Sequence, residues 1–546
     1  MARSHIAGAV AAAAVCTLVL SLASMDASRA ARPTVAQTRL EASARIGVPH
    51  RGPVDVQRGE RTAAARHAIG KSRFGAQAAI PETGDPLAGT FSPVLDWPLV
   101  GIHAVLLPDG RVLTYGTDLD GVQTGYFVYD VWDPRFGLGP ESHTVLENFT
   151  QVDIFCGAQL VLGDGKVGLF GGDITVNGRS INSPVADVTR FDPTDNSLVG
   201  AGEMLRPRWY ASSVMLPDGE VLIQGGNGGQ DRPEVRAADG SFRLLGNVDT
   251  TAIDWFYPRN FVAPGGKVFG IANNRMYRID ASGSGSLESL GTFPGSNRGA
   301  SSTAVMFAPG RILQTGGGDS NNGSAAVSIV DIRGAAPVVT PASPMALGRH
   351  WANATVLPDG RVFVSGGSKV QNANDGVAYQ SELYDPGTGA WTTGATAARM
   401  RLYHSTSMLL PDATVLTAGG GAPGPQLNLN AEIYYPPYLF DVNGNRATRP
   451  RITSAPMVLR AGSLLKLSTP DTASIARVTL VKTGSVTHSF DMDQRFMELR
   501  MSKSGRTVLA RLPASTDLAP PGNYMVFLID RKGVPSEAAM LRIDPR

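Results

Sequence analysis

Cys156 lies in the stretch QVDIFCGAQLVL, and the only other cysteine of the 546-residue chain is Cys16, near the amino terminus. Tyr210, Tyr257, Trp351 and the adjacent pair Tyr403 and His404 follow, each just ahead of a recurring apolar–turn–apolar phrase. A thiol, phenols and an imidazole are groups that move protons, bind metals or are oxidised. If the leader holding Cys16 is removed, no intramolecular disulfide is possible and Cys156 has no thiol partner. Taken singly, a buried cysteine is most often a small apolar side chain, and a lone Tyr-His pair carries little information. What sets these residues apart is their register.

The phrase occurs as AVLLPDGRVLTYG, AQLVLGDGKVGLFGG, SSVMLPDGEVLIQGG, NFVAPGGKVFGIAN, TAVMFAPGRILQTGGG, ATVLPDGRVFVSGG and TSMLLPDATVLTAGGG. Each reads as a β-hairpin with turn chemistry at its tip. The turn positions are Asp109, Asp164, Asp218, Gly265, Pro309, Asp359 and Asp412, separated by 44 to 55 residues. A period of about 50 with paired glycines is the signature of kelch-type blades. The fold expected is all-β: a seven-bladed kelch-type propeller over residues 88–447, with one blade closed by strands from both ends. Eight residues before each turn stand Gly101, Cys156, Tyr210, Tyr257, Ser301, Trp351 and His404. Equivalent positions in successive blades form a ring about the propeller axis. The repeat therefore gathers a thiol, phenols and an imidazole at one end of that axis, an arrangement that apolar packing does not require.

The flanks are of different character. Residues 1–30 carry Arg3, an apolar run from Ile6 to Leu22, and small residues at Ser28 and Ala30, which read as a cleavable secretory signal. Residues 31–87 are a low-complexity lead-in rich in Ala, Arg and Pro. Residues 448–546 hold short alternating strands between Gly, Pro and Asp turns, as expected of an immunoglobulin-like β-sandwich. With 42% apolar and 18% charged residues and a net charge of +2, the composition is globular and argues against a nucleic-acid partner. A secreted or otherwise extracytoplasmic protein is expected, monomeric, with no membrane association beyond the leader; an uncleaved leader would tether it to membrane or wall.

The motifs DIFCGA, RPRWYASSVMLPDG, RLYHSTSMLLPD, AEIYYPPYLF, ATRPRI and THSFDMDQR together resemble the copper radical oxidases, the galactose oxidase and glyoxal oxidase group. The resemblance runs from about residue 88 to the end. It implies one copper ion, bound by Tyr210, Tyr403, His404 and His488, the last supplied by the C-terminal domain. It implies a self-made thioether between Cys156 and the Tyr210 ring, with a tyrosyl radical on Tyr210 and Tyr403 as general base. Two imidazoles and two phenolate oxygens suit Cu(II), whereas structural zinc more often recruits several cysteines. The implied reaction is oxidation of a small aldehyde, as its hydrate, or of a primary alcohol, with O2 reduced to H2O2.

The sequence also departs from galactose oxidase. The tryptophan that stacks over the thioether there aligns with Gly228, and the short lead-in reads as no counterpart of that enzyme's amino-terminal carbohydrate module. Trp351 or Tyr257 are the ring residues expected to cover the radical instead, and Arg259, in YPRNF, resembles the glyoxal oxidase branch and would place a cation near substrate. Small aldehydes of the glyoxal or methylglyoxal type are the substrates expected, with galactose oxidase-like oxidation of primary alcohols as the alternative. A glycan-binding kelch propeller without catalysis, or a copper-storage protein, are the competing classes.

Overall fold

A computed structural model describes residues 80–545. The leader, Cys16 and most of the lead-in lie outside the described residues. Strands dominate; the helical segments among the described residues are three short 3-10 turns, Pro134–Phe136, Pro140–Ser142 and Pro437–Leu439. The architecture is a β-propeller followed by a C-terminal β-sandwich.

The hairpin phrases fold as their turn residues dictate. The carboxylates of Asp109, Asp164, Asp218, Asp359 and Asp412 each accept the backbone N–H two residues on, at 3.0–3.2 Å. These Asx turns reverse the chain and set the register of the flanking strands. Glycine follows the aspartate in the first four and takes a left-handed conformation. In the fifth, Ala413 adopts φ 68° in its place.

Three repeats form separate four-stranded antiparallel sheets: Arg259–Val262 to Ser286–Thr292, Ser302–Ala308 to Val338–Ala342, and Asn353–Val356 to Ala390–Thr396. Elsewhere the boundary between repeats is not a break. The 19-residue strand Ser197–Met215 is the outer strand of one repeat and the inner strand of the next, so the two share one eight-stranded sheet. Thr90–Phe91 pairs with Asn430–Tyr435, which joins the first described residues to the last repeat. Packed structure begins ahead of residue 88, since Gly84 N–H donates to Gly444 O and Arg446 N–H to Glu82 O.

The C-terminal sandwich has a five-stranded sheet (Val458–Arg460, Ala539–Asp544, Gly522–Asp530, Ile475–Lys482, Phe496–Leu499) and a three-stranded one (Leu464–Ser468, Thr507–Arg511, Met501–Ser504). Leu465, Leu467, Val478, Leu480, Val508, Val526 and Leu528 fill its core. One hairpin leaves this domain altogether. Ser485–Thr487 pairs with the inner strand His103–Leu106 of the first repeat, extending that repeat's sheet. The buried ion pair between Lys482 and Asp493, 2.6 Å, ties the two ends of the excursion together at its base. His488 and Ser489 form the hairpin's tip between the paired residues Thr487 and Phe490, both with positive φ (48° and 62°), as a two-residue type I′ turn demands.

Candidate active site

Five of the seven ring positions share one unusual backbone conformation. Cys156, Tyr210, Tyr257, Trp351 and His404 have φ of 55°, 68°, 38°, 58° and 69°. For residues other than glycine this costs about 1–2 kcal/mol each, and such strain concentrates where surrounding structure dictates it. Here the neighbouring repeat does so. Tyr210 N–H donates to Cys156 O at 2.8 Å, Tyr257 N–H to Tyr210 O at 2.9 Å, and Trp351 N–H to Ser301 O at 2.9 Å. Five of the seven positions counted from the sequence are thus left-handed turns, and three of the links between neighbouring ring positions are backbone hydrogen bonds.

Four donor groups converge inside it. The Tyr210 and Tyr403 hydroxyls are 2.7 Å apart. The His404 ring lies 3.8 Å from that of Tyr403 and 4.7 Å from that of His488, which is 5.0 Å from the Tyr210 ring. Both histidines are oriented through Nδ1. His404 Nδ1 meets Gly421 O at 2.9 Å; a carbonyl only accepts, so the proton is on Nδ1. Thr487 Oγ1 donates to Ile102 O at 2.9 Å, which leaves it to accept from His488 Nδ1 at 2.6 Å. Each Nε2 therefore presents a lone pair, and that of His404 is buried without a partner. This is the tautomer a metal-ligating imidazole requires. Burial pushes the His404 imidazole down to about 3 and that of His488 well below its ordinary value, so both are neutral. Burial, followed by the proximity of Cys156 and Tyr403, holds the Tyr210 phenol well above its ordinary value, and a bound cation would reverse that. Two imidazole nitrogens and two phenol oxygens around an unpaired lone pair fit a copper ion.

Cys156 is fully buried, with Sγ 3.6 Å from His488 Nε2. Burial raises its thiol well above the ordinary range, opposed by hydrogen bonds from the hydroxyls of Tyr210 and Tyr257. A further histidine adjoins it. Donor atoms of His103, Cys156 and His488 lie within 4.8 Å of one another, and the Cys156 N–H donates to His103 Nε2 at 3.1 Å. Sequence reasoning gave His103 no role, although it stands two residues beyond the ring position Gly101.

The aromatic surroundings differ in part from expectation. Trp351 packs on Tyr403, 4.5 Å between ring centroids, rather than on Tyr210. Its indole N–H is buried without a partner. Tyr257 meets Tyr210 edge-on at 5.2 Å and stacks on His488 at 4.5 Å. The rings inclined over Tyr210 are Trp209, 4.0 Å, and Phe256, 4.6 Å. Both immediately precede a ring position, and that adjacency was the available signal. At Gly228 a Cβ would lie 2.8 Å from Pro207 O and Pro184 Cγ, so no side chain fits there. Arg259 does not present a free cation to substrate: its guanidinium is buried and donates to the carbonyls of Tyr257, Ala300 and Ser302. His350 is likewise committed, to Ser301 Oγ at 2.7 Å and Asp319 O at 3.0 Å.

Comparison with known proteins agrees with this architecture. A family model described as galactose oxidase-like, early set domain, matches residues 449–543. A galactose oxidase from Gibberella zeae is 29% identical over 498 residues, covering 84% of this chain and 71% of that protein. An aldehyde oxidase from Vitis pseudoreticulata is 27% identical, covering 72% of this chain and 82% of its own. In fold, the chain is similar to a fungal alcohol oxidase solved in complex with copper, with a TM-score of 0.75 at 24% identity, covering 84% of this chain and 99% of that one. The relatives and the C-terminal domain match support one assignment, and the shared fold is consistent with it: the chain is similar to the copper radical oxidase family.

Proposed function

We propose that the protein is an exported oxidase that converts small aldehydes, as their hydrates, to carboxylic acids. The balanced reaction takes a geminal diol and O2 to a carboxylic acid and H2O2. The site would be carried by a seven-bladed propeller over about residues 88–447 and completed by the domain from residue 448 onward. Tyr210 Oη, Tyr403 Oη, His404 Nε2 and His488 Nε2 would hold one copper ion. That ion supplies one oxidising equivalent and an acidic position for the substrate oxygen.

The chain's residues account for the rest. Tyr403 is half-buried, whereas Tyr210 is buried, so Tyr403 is the phenol that meets substrate and takes its hydroxyl proton. Tyr210, joined to Cys156 by a thioether, would hold the second oxidising equivalent on a ring that Trp209 and Phe256 shield from water. The unpartnered Trp351 N–H beside Tyr403 is a ready donor to a substrate oxygen. The rings of Trp351 and Phe256 beside the two phenols would favour a small substrate over a sugar.

The observation that carries this reading is the 2.7 Å approach of the Tyr210 and Tyr403 hydroxyls beside the Nε2 atoms of two histidines whose protons are held on Nδ1. The similarity to galactose oxidase favours primary alcohols as the second reading. Copper-loaded protein tested for H2O2 on matched aldehydes and alcohols separates the two, and peroxide from neither would overturn both. Peptide mapping before and after aerobic copper treatment provides a readout independent of turnover: peptides holding Cys156 and Tyr210 should merge into one species lighter by two hydrogens.

A further inference from the structure

The thiol of Cys156 must meet the Tyr210 ring from a backbone conformation that L-residues avoid, φ 55°. Two hydrogen bonds pin its peptide groups. Its carbonyl accepts from Tyr210 N–H at 2.8 Å, and its N–H donates to His103 Nε2 at 3.1 Å. The first comes from the following repeat. The second comes from a different strand, and through a side chain.

His103 is well placed to hold still. It opens the strand His103–Leu106 and is paired with Tyr115 on one side and with Thr487 on the other. Its ring stacks on that of Tyr115 at 4.4 Å and 5°, and the Tyr115 hydroxyl in turn donates to Gln159 Oε1. The pairing with Thr487 also sets His103 beside His488, 6.0 Å between ring centroids. One residue thus touches the thiol-bearing turn and borders the hairpin that the C-terminal domain inserts. Its Nε2 lone pair is used by the Cys156 N–H, which makes it an anchor rather than a fifth ligand.

We propose that His103 is a positioning residue for cofactor formation: by accepting the Cys156 N–H it fixes the left-handed turn that aims Sγ at the Tyr210 ring. This rests on the thioether reading above. In the step it serves, one C–S bond forms, the S–H and one ring C–H bond break, and two electrons and two protons pass to O2, giving H2O2.

The test compares wild type, His103→Ala and His103→Asn, all purified without copper. Two quantities are read: the half-time of the loss of two hydrogens after Cu(II) and air are admitted, and amide hydrogen exchange of the peptide containing Cys156 in copper-free protein. His103→Ala should lengthen the half-time by about tenfold, a factor matching one held left-handed turn, and speed the exchange. His103→Asn, whose side-chain oxygen can accept the N–H, should recover much of both, as general loss of stability would not. Wild-type half-time and unchanged exchange in His103→Ala would overturn the proposal. If His103→Ala does not fold, wild-type behaviour of His103→Leu, which keeps bulk and removes the acceptor, would overturn it equally. If wild type itself never cross-links, the thioether reading fails, and the exchange measurement alone decides whether His103 holds Cys156.

Discussion

The hydroxyl of Tyr210 lies 2.7 Å from that of Tyr403, although 193 residues separate them in the chain. Tyr210 enters the ring two repeats after the first, and Tyr403 stands next to the ring position of the last. Their surroundings differ: Tyr210 is buried beside Cys156, and Tyr403 is half-buried against Trp351. The two phenols should therefore fail differently when removed. Tyr210→Phe should abolish both the Cys156 cross-link and peroxide production. Tyr403→Phe should still form the cross-link but lose about 10²–10⁴-fold in turnover, the usual contribution of a positioned base. Peptide mapping beside peroxide assays checks both, and a cross-linked Tyr403→Phe enzyme with full turnover would remove Tyr403 from its role.

Thr487 fixes the proton on His488 Nδ1 by donating its own hydroxyl to Ile102 O. Removing the hydroxyl in Thr487→Val keeps the β-branched shape and the strand, but frees the imidazole to rotate or change tautomer. Copper affinity should fall by about 10–100-fold, as for other partners that orient a metal-binding histidine. Competition with a chelator measures it directly.

How much of this was legible in the sequence follows the period of each feature. Cys156, Tyr210, Tyr257, Trp351 and His404 could be aligned because a turn aspartate, or its replacement, stands eight residues after each. The same count placed Tyr403 by adjacency. His488 lies outside the repeat, and only the resemblance pointed to it; the hairpin that carries it obeys the sandwich's connectivity, not the propeller's. His103, Trp209 and Phe256 were missed because they are displaced by one or two residues from the ring, where periodicity gives no reason to prefer them over packing residues. Arg259 was hard to read for another reason. A buried guanidinium whose terminal nitrogens are held by three carbonyls and one carrying a substrate read the same in sequence, and only the hydrogen-bond partners separate them.

The ring depends on buried ion pairs behind it. Arg208, two residues before Tyr210, is fully buried; it bonds Glu234 at 2.8 Å and donates to Gly225 O and Gly229 O. Glu234→Ala would leave that guanidinium in the interior without its counter-charge. Stability should drop by about 3–5 kcal/mol, the cost of breaking rather than replacing a buried pair. Urea unfolding of copper-free protein measures this, and a loss below about 1 kcal/mol would show that the pair behaves as a surface one.

Acid should weaken the copper-free protein through its histidines. The His404 imidazole is held down at about 3 by burial, and His488 well below its ordinary value of 6.5. Below that ordinary value the unfolded chain binds protons that the folded one refuses. The histidines' contribution to stability is therefore complete above about pH 6.5 and declines as pH falls from there, for His404 down to about 3, by about 1.4 kcal/mol per pH unit for each histidine. Unfolding midpoints across this range test the slope. In His404→Gln the slope should be shallower by one proton; an unaltered slope would mean that His404 does not titrate between the two states.

Trp351 and Phe256 touch different phenols, and their substitutions should separate binding from radical protection. Trp351→Phe keeps an aromatic wall against Tyr403 but removes an indole N–H that is buried without a partner. If substrate oxygen accepts from that N–H, KM for aldehyde hydrates should rise by about tenfold, the value of one neutral hydrogen bond, with the decay of the oxidised form unchanged. Phe256→Ala exposes the Tyr210 ring, which Phe256 covers at 4.6 Å, so decay of the oxidised form's absorbance should accelerate while KM moves little. The reverse pattern, with Trp351→Phe shortening the lifetime and Phe256→Ala altering KM, would mean that Trp351 guards the radical from a distance and that the substrate approaches over Phe256.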